Sequence, residues 1–250
     1  MTANLSAKDL DAALAVIRTA SSTDGSHPFE LPVIEELTKL IPADQAGYFE
    51  YRMWGTAYHP HQTRNVHLVK EPGAELDWHS EEICSVLPEW PLRDSHATMT
   101  TTALRFSDAL PNRLQRLRNA WYATVMRKYA VEHEMKLWLP SPPGTVRGFF
   151  FVRHAGRRDF DERHREVLTV LRPHLEAIRE RWERRHRPPG LSDREAEIVH
   201  LLREGLTNQE IAERLVISKG TVRTHLENIF GKLGVHSRTA AVTRAFDQTG

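Results

Sequence analysis

The chain has 250 residues, 40% of them apolar and 27% charged, with a formal net charge of +1. That length suits two domains with a core each, in the composition range of an ordinary globular protein. A single cysteine, Cys84, excludes an intrachain disulfide. No apolar run reaches the ~20 residues of a membrane span. The start MTANLSAKDL lacks the basic-then-apolar order of a signal peptide, so a cytoplasmic location is expected.

In chain order, residues 12–17 belong to an amphipathic opening helix and residues 21–28 to a loop. LPVIEELTKLI, residues 31–41, is a second short helix. AGYFEYRM, residues 46–53, alternates as a strand does. Residues 54–90 hold turns, histidines and strand fragments. Residues 112–127 follow a helical period, with Leu114, Leu117, Trp121 and Val125 on one stripe. Residues 135–139 and 146–153 (VRGFFFVR) read as two strands of a hairpin across Pro142-Pro143-Gly144. Residues 160–183 close the region as a long helix, with Val167, Leu168, Leu171, Leu175 and Ile178 facing inward. Helices, strands, a hairpin and a closing helix predict an α+β domain with a central antiparallel sheet over residues 1–178.

Two sets of residues here invite a functional reading. Tyr48, Tyr51, Trp54 and Trp138 are candidates to line an apolar ligand pocket, although aromatics of this kind most often form core. His59, His61 and His67, with His79 and Cys84 downstream, raise a metal or haem site, but their spacing fits no ligand motif. No P-loop, G-x-S-x-G or H-E-x-x-H is present, so neither an enzyme nor a cofactor is expected.

Residues 179–190, RERWERRHRPPG, form a basic, proline-broken linker. It reads as a solvated helix, an extra phosphate contact or a dimerising helix.

From Leu191 the signals become explicit. Ser192 with Glu195, and Thr207 with Glu210, are capping boxes. Ser218 and Ser237 open two further helices, and Gly205 and Gly234 stop two of them. Ile198, Leu201 and Leu202, then Ile211, Ala212 and Leu215, then Val222, Leu226, Ile229, Phe230 and Leu233 form successive apolar stripes. The third helix leaves Lys219, Thr221, Arg223, Thr224, Glu227 and Asn228 outward, side chains that suit phosphates or base edges in a major groove. Thr207, Asn208 and the bare N–H groups beside them suit a phosphate. A four-helix packing unit with a merely solvated polar face would share these signals.

LSDRE, EGLTNQEIAERLVIS, TVRTHLENIFGKLGV and SRTAAV, within residues 191–246, resemble the LuxR-type (NarL/FixJ or GerE type) helix-turn-helix domain. The resemblance implies that the third helix reads DNA, with Arg223, Thr224 and Glu227 on the reading face. It places Asn208, Ser218, Thr221 and Lys232 near phosphates and His225 beside the backbone. The full DNA-contacting set expected is Thr207, Asn208, Ser218, Lys219, Thr221, Val222, Arg223, Thr224, His225, Glu227 and Lys232. The fourth helix of such domains often makes a two-fold contact, which points to Val242, Ala245 and Phe246 as a dimer strip. Glu227 departs from the basic or neutral residue of many relatives; its carboxylate suits a cytosine amino group.

LWLPSPPGTVRGFFFVRHAGRRDFDERHREVLTVLRPHLEAI, ending at Ile178, resembles the tail of GAF-like, PAS-related sensor domains. No acyl-homoserine-lactone-binding cluster and no phospho-receiver pattern is evident.

From Leu191 onward eight Lys and Arg balance eight Asp and Glu, so one copy is expected to bind DNA modestly and two copies to share an inverted repeat. The expectation is therefore a bacterial, homodimeric DNA-binding transcription regulator. It has double-stranded DNA as partner, a small-molecule effector or protein partner acting on residues 1–178, and scope for contact with RNA polymerase. The alternatives are a constitutive DNA-binding dimer and a metal- or haem-sensing regulator.

Overall fold

The structure is a computed structural model that describes residues 5–23, 25, 27–54, 57–69, 86, 90–91, 102–141, 145–186 and 190–246, with residues 51–54, 57–69 and 193 described by backbone alone. The chain divides into two compact units, residues 1–180 and 181–250.

The first unit opens on helix α1 (Ala7–Ser22), which begins earlier than its apolar period alone predicts. Its start is a capping box: Asp9 N–H donates to Ser6 Oγ, and Ser6 N–H donates to Asp9 Oδ2 at 2.9 Å. Helix α2 (Leu31–Leu40) carries a proline in its first turn, where no backbone donor is missed. Strands β1 (Gln45–Trp54), β2 (Ala57–Val69), β3 (Leu104–Arg105), β4 (Val131–Leu139) and β5 (Thr145–His154) follow. They form an antiparallel sheet in the order β2-β1-β5-β4-β3. The β4–β5 hairpin forms as expected, with β4 beginning earlier than the expected 135–139, at Val131, while its turn, residues 142–144, lies outside the described residues.

Both faces of the sheet are covered. On one, Tyr48, Leu137, Phe149 and Phe151 pack with Val16, Phe29, Ile34 and Leu37 of the first two helices and the loop between them. Helix α5 (Glu162–Arg185) completes this core with Val167, Leu168, Leu171, Leu175 and Ile178, all inward as their spacing predicts. On the other face, Phe49, Trp138, Val146 and Val152 pack with Trp90, Phe106, Trp121 and Tyr122. The buried Arg153 guanidinium, near the end of the central strand β5, donates to the carbonyls of Pro42, Arg158 and Asp159, stitching that end of the strand to two loops.

The single helix expected over residues 112–127 is corrected. Short helices α3 (Phe106–Ala109) and α4 (Arg113–Arg118) are followed by a break at Asn119, which is extended (φ −83°, ψ 125°). Asn119 Oδ1 accepts from Tyr122 N at 3.0 Å and starts a separate π-helical turn, Tyr122–Met126. Leu114 and Leu117 consequently face solvent, while Trp121 and Val125 are buried.

The second unit contains helices α6 (Asp193–Arg203), α7 (Asn208–Leu215), α8 (Lys219–Leu233) and α9 (Arg238–Phe246) around one core of Ile198, Leu201, Ile211, Val222, Ile229 and Ala241. Among the described residues no helix is long and apolar enough to cross a membrane.

Gly148 stands opposite Trp138 in β4 and Phe49 in β1, and a Cβ there would run into the Leu137 carbonyl oxygen. The obstacle is backbone, not a movable side chain. Gly148→Ala is expected to lower stability by about 1–3 kcal/mol, as overpacking of a well-filled core does. A chemical denaturation curve that overlays on the wild type would contradict this.

Candidate nucleic-acid interface

The second unit is set up by its helix ends. Ser192 Oγ accepts from Glu195 N, and Glu195 Oε2 accepts from Ser192 N at 2.7 Å. Thr207 and Glu210 repeat this at the start of α7, with Thr207 N donating to Glu210 Oε2 at 2.6 Å. Ser218 Oγ accepts from Thr221 N at 3.0 Å and caps α8. Gly205 (φ +84°) and Gly234 (φ +65°) take the left-handed turns after α6 and α8. The turn between α7 and α8 uses Val216 in that same region at φ 53°, where a β-branched residue is strained.

Long-range polar bonds then lock the helices together. Arg194 donates to the Leu215 carbonyl at 2.8 Å, satisfying the end of α7, and pairs with Glu197. Lys232 Nζ reaches Glu195 Oε2 at 2.6 Å, tying the last turn of α8 to the first turn of α6. Arg238 Nη1 donates to Asn208 Oδ1 at 3.1 Å, tying α9 to the start of α7.

This packing decides which side chains face outward. Lys219, Thr221, Arg223, Thr224 and Glu227 are exposed on one side of α8, with Ser218 at its cap and Thr207 at the cap of α7. His225 is half-buried. Thr224 bonds back to the Gly220 carbonyl at 3.2 Å. Arg223 Nε donates to Glu227 Oε1 at 3.0 Å across one turn.

Two expectations about this unit are corrected. Val222 is fully buried among the core residues, so it holds α8 in place and has no surface to offer DNA. The apolar strip of α9 is largely spent inside the unit: Ala245 is buried, and Phe246 packs edge-on to His200 at 4.9 Å with Arg203 over its ring at 4.6 Å. Val242 is partly buried against the same core. Sequence reasoning also missed the internal partner of Lys232, because Glu195 lies 37 positions away.

In the first unit Tyr48 and Trp138 lie on opposite faces of the sheet and cannot line one pocket, which corrects the grouping expected of them. The β1–β5–β4 register is the cause: Tyr48 stands against Phe149, itself against Leu137, which puts Trp138 one residue out of phase. Tyr48 packs on Phe29 and Phe149, with its hydroxyl donating to Glu50 at 3.0 Å. Burial raises the Tyr48 pKa well above its ordinary value, and the Glu50 charge adds to this. On the Trp138 face, Trp90 and Trp121 sit at ring-centroid distances of 5.6 Å from each other, and Trp90 lies 5.7 Å from Trp138. Lys136 Nζ sits 3.6 Å from the Trp90 ring centroid and pairs with Glu134 at 3.2 Å. Glu134 also accepts from Trp90 Nε1 at 3.1 Å. Burial lowers the Lys136 pKa to about 8 against the pull of Glu134.

The side chains of Tyr51, Trp54, His59, His61 and His67, and all of His79 and Cys84, lie outside the described residues. Among the described residues no group of three His, Cys, Asp or Glu is placed to hold a metal ion.

Residues 189–245 match the luxR family of bacterial regulatory proteins. The monoamine regulon transcriptional regulator of Klebsiella aerogenes is 31% identical over 170 residues, covering 67% of this chain and 72% of that protein. An HTH-type transcriptional regulator of Mycobacterium bovis is 30% identical over 179 residues, covering 63% of this chain and 20% of that protein. The chain thus spans about a fifth of the length of the first curated relatives it matches. A crystal structure of Escherichia coli SdiA has a TM-score of 0.47 at 18% identity, covering 96% of this chain and 99% of that one.

The Ser192–Glu195–Lys232 cluster makes the unit sensitive to acid. Although burial opposes it, the bonds from Lys232 and Ser192 bring the Glu195 pKa down to about 2 from an ordinary value of 4.5. A depressed carboxylate pKa adds stability that is full above about pH 4.5 and fades as pH falls toward 2. Solvent around the half-exposed Lys232 screens the pair, so the gain is on the order of 1–2 kcal/mol. Glu195→Gln is expected to be less stable than wild type at pH 7, with the gap closing between pH 4.5 and 2 in denaturant titrations. A gap that stays constant over that range would contradict the assignment.

Proposed function

The chain belongs to the LuxR family of bacterial regulatory proteins, and we propose that it is a sequence-specific, homodimeric transcription regulator that reads double-stranded DNA with the outward face of α8. The observation that carries this reading is that face itself. Val222, Leu226 and Ile229 bury one side of α8, so Lys219, Arg223, Thr224 and Glu227 stand outward together on the other. An α-helix of this kind fits the major groove, where each base pair presents its own donor and acceptor pattern. The caps of α7 and α8, Thr207 and Ser218, with Asn208, take the phosphates on either side. Lys232 contributes by holding α8 against α6 more than by meeting DNA.

The organisation proposed is a GAF-like, PAS-related sensor over residues 1–178, a basic linker over 179–190 that begins as the last turns of α5, and the DNA-binding module over 191–250. The antiparallel sheet backed by α1, α2 and α5 favours that reading of the first unit. RNA polymerase is the natural further partner of such a regulator, and the compartment of the DNA, the cytoplasm, its place of action.

Arg223→Ala is expected to weaken binding to a selected operator by about 1–3 kcal/mol, the worth of one good base contact. Fluorescence anisotropy titrations measure it, and an unchanged affinity would sink the assigned reading face. The same titrations give the stoichiometry: two chains per inverted repeat support the dimer, and one chain per duplex at saturation removes it.

For an effector, the Trp138 face is the better candidate. It gathers Phe49, Trp90, Trp121 and Trp138 around the Lys136–Glu134 pair, whereas Tyr48 belongs to the core under the helices. A metabolite docking there is expected to change the fluorescence of these tryptophans and raise the melting temperature together. A ligand that raises the melting temperature with no fluorescence change would place the effector elsewhere, and no response to any metabolite would favour the constitutive dimer.

A further inference from the structure

Arg223 and Glu227 stand four residues apart on the outward face of α8, their side chains 80% and 63% exposed. An ion pair so open to water adds little to the stability of the free protein. Its place on the groove-facing side of the helix gives it another use. Glu227 Oε1 holds Arg223 by Nε, at 3.0 Å. A guanidinium is a rigid planar fork, so fixing its Nε edge leaves the two terminal nitrogens side by side at the free end. That end matches the O6 and N7 acceptors of guanine, the commonest specific arginine contact in a major groove.

We propose that Glu227 is a specificity-determining residue that positions Arg223 on a guanine, and that its charge also penalises DNA lacking that contact. This rests on the reading of α8 as the groove-reading helix. Two physical effects act in the same direction. Preorganising the arginine spares the ordering cost of a long side chain on binding. A carboxylate facing the duplex repels phosphates wherever the arginine has no base to pair with, which lowers binding to random sequence. The near-neutral charge of the module is consistent with a design that trades bulk affinity for discrimination.

The test uses the full chain with duplexes selected from a randomised library, comparing wild type, Glu227→Gln, Glu227→Ala and Arg223→Ala. Binding is then measured on the selected duplex, on random DNA, and on the selected duplex with 7-deazaguanine at the preferred guanine. Both side chains are exposed, and circular dichroism checks that the variants fold. Wild type is expected to lose about tenfold or more on the 7-deaza duplex. The Glu227 variants are expected to bind random DNA more tightly, to lose roughly tenfold in their selected-to-random ratio, and to feel the 7-deaza change less. A Glu227 variant with the wild-type ratio and the wild-type 7-deaza penalty overturns the proposal. So does a change of preference from cytosine at another position, since Glu227 would then read a base itself. If Arg223→Ala loses the guanine while the Glu227 variants do not, only this proposal falls. If no duplex is enriched, or Arg223→Ala binds as wild type does, the reading of α8 falls and takes the proposal with it.

Discussion

The burial of one stripe on α8 is the constraint from which the outward chemistry of the second unit follows. Val222, Leu226 and Ile229 must leave water, and α6 and α7 supply the apolar surface that receives them through Ile198, Leu201 and Ile211. Once that stripe is committed, the rotation of α8 about its axis is fixed. Arg223, Thr224 and Glu227 then have only one direction to face. The polar ties sharpen this placement, because each spans two elements: Lys232 to Glu195, Arg194 to the Leu215 carbonyl, and Arg238 to Asn208. The base-reading role proposed for this face would need the helix held to a fraction of an ångström, and capped ends plus cross-helix bonds provide such a hold.

The first unit solves a different problem with the same logic. A strand covered on both faces must carry apolar side chains at odd and even positions alike. β5 does so, and Gly148 gives up its side chain so that neighbouring strands and Trp138 can close on it. The two faces then diverge in chemistry. The helix-covered face is aliphatic and aromatic core with Tyr48 sealed into it. The other face collects tryptophans around a buried Lys136–Glu134 pair. A buried ion pair of this kind contributes little net stability, because desolvation offsets the attraction.

Local chemistry made the second unit legible. Ser-x-x-Glu and Thr-x-x-Glu announce helix starts within four residues, and Gly205 and Gly234 announce ends, so those boundaries could be read without knowing any tertiary contact. What failed needed long-range information. Nothing local relates the parity of Tyr48 to that of Trp138; only the register through Phe149 and Leu137 does. Val222 sits among the residues expected to contact DNA, and periodicity already assigned it to the buried stripe, so grouping it with its outward neighbours overrode the better signal. Asn119 looked like one more polar position on a helix, yet its side chain caps a new turn and breaks the old one. Pro173, by contrast, sits within α5 without ending it, because five inward apolar residues outweigh one missing backbone donor.

The charge of the second unit also looks different once its partners are known. Eight acidic residues against eight basic ones suggest a poor ligand for a polyanion. Yet the acids are mostly committed inside the fold: Glu195 and Glu210 to caps, Glu197 to Arg194, Glu204 beside Arg214, and Glu213 to the Gln209 amide. Each such carboxylate holds a helix end or a neighbouring side chain, and its field is partly cancelled where it sits. Glu227 is the acidic exception on the outward face of α8, and it too is held, by Arg223. Net charge therefore understates what this face can do, because attraction in a groove depends on where charges sit and not on their sum. In the DNA-reading role proposed for α8, a face of this charge gains little from random sequence and draws its affinity from shape and from specific hydrogen bonds. That is the balance the proposed DNA-reading role calls for, because in such a role binding everywhere is as unhelpful as binding nowhere.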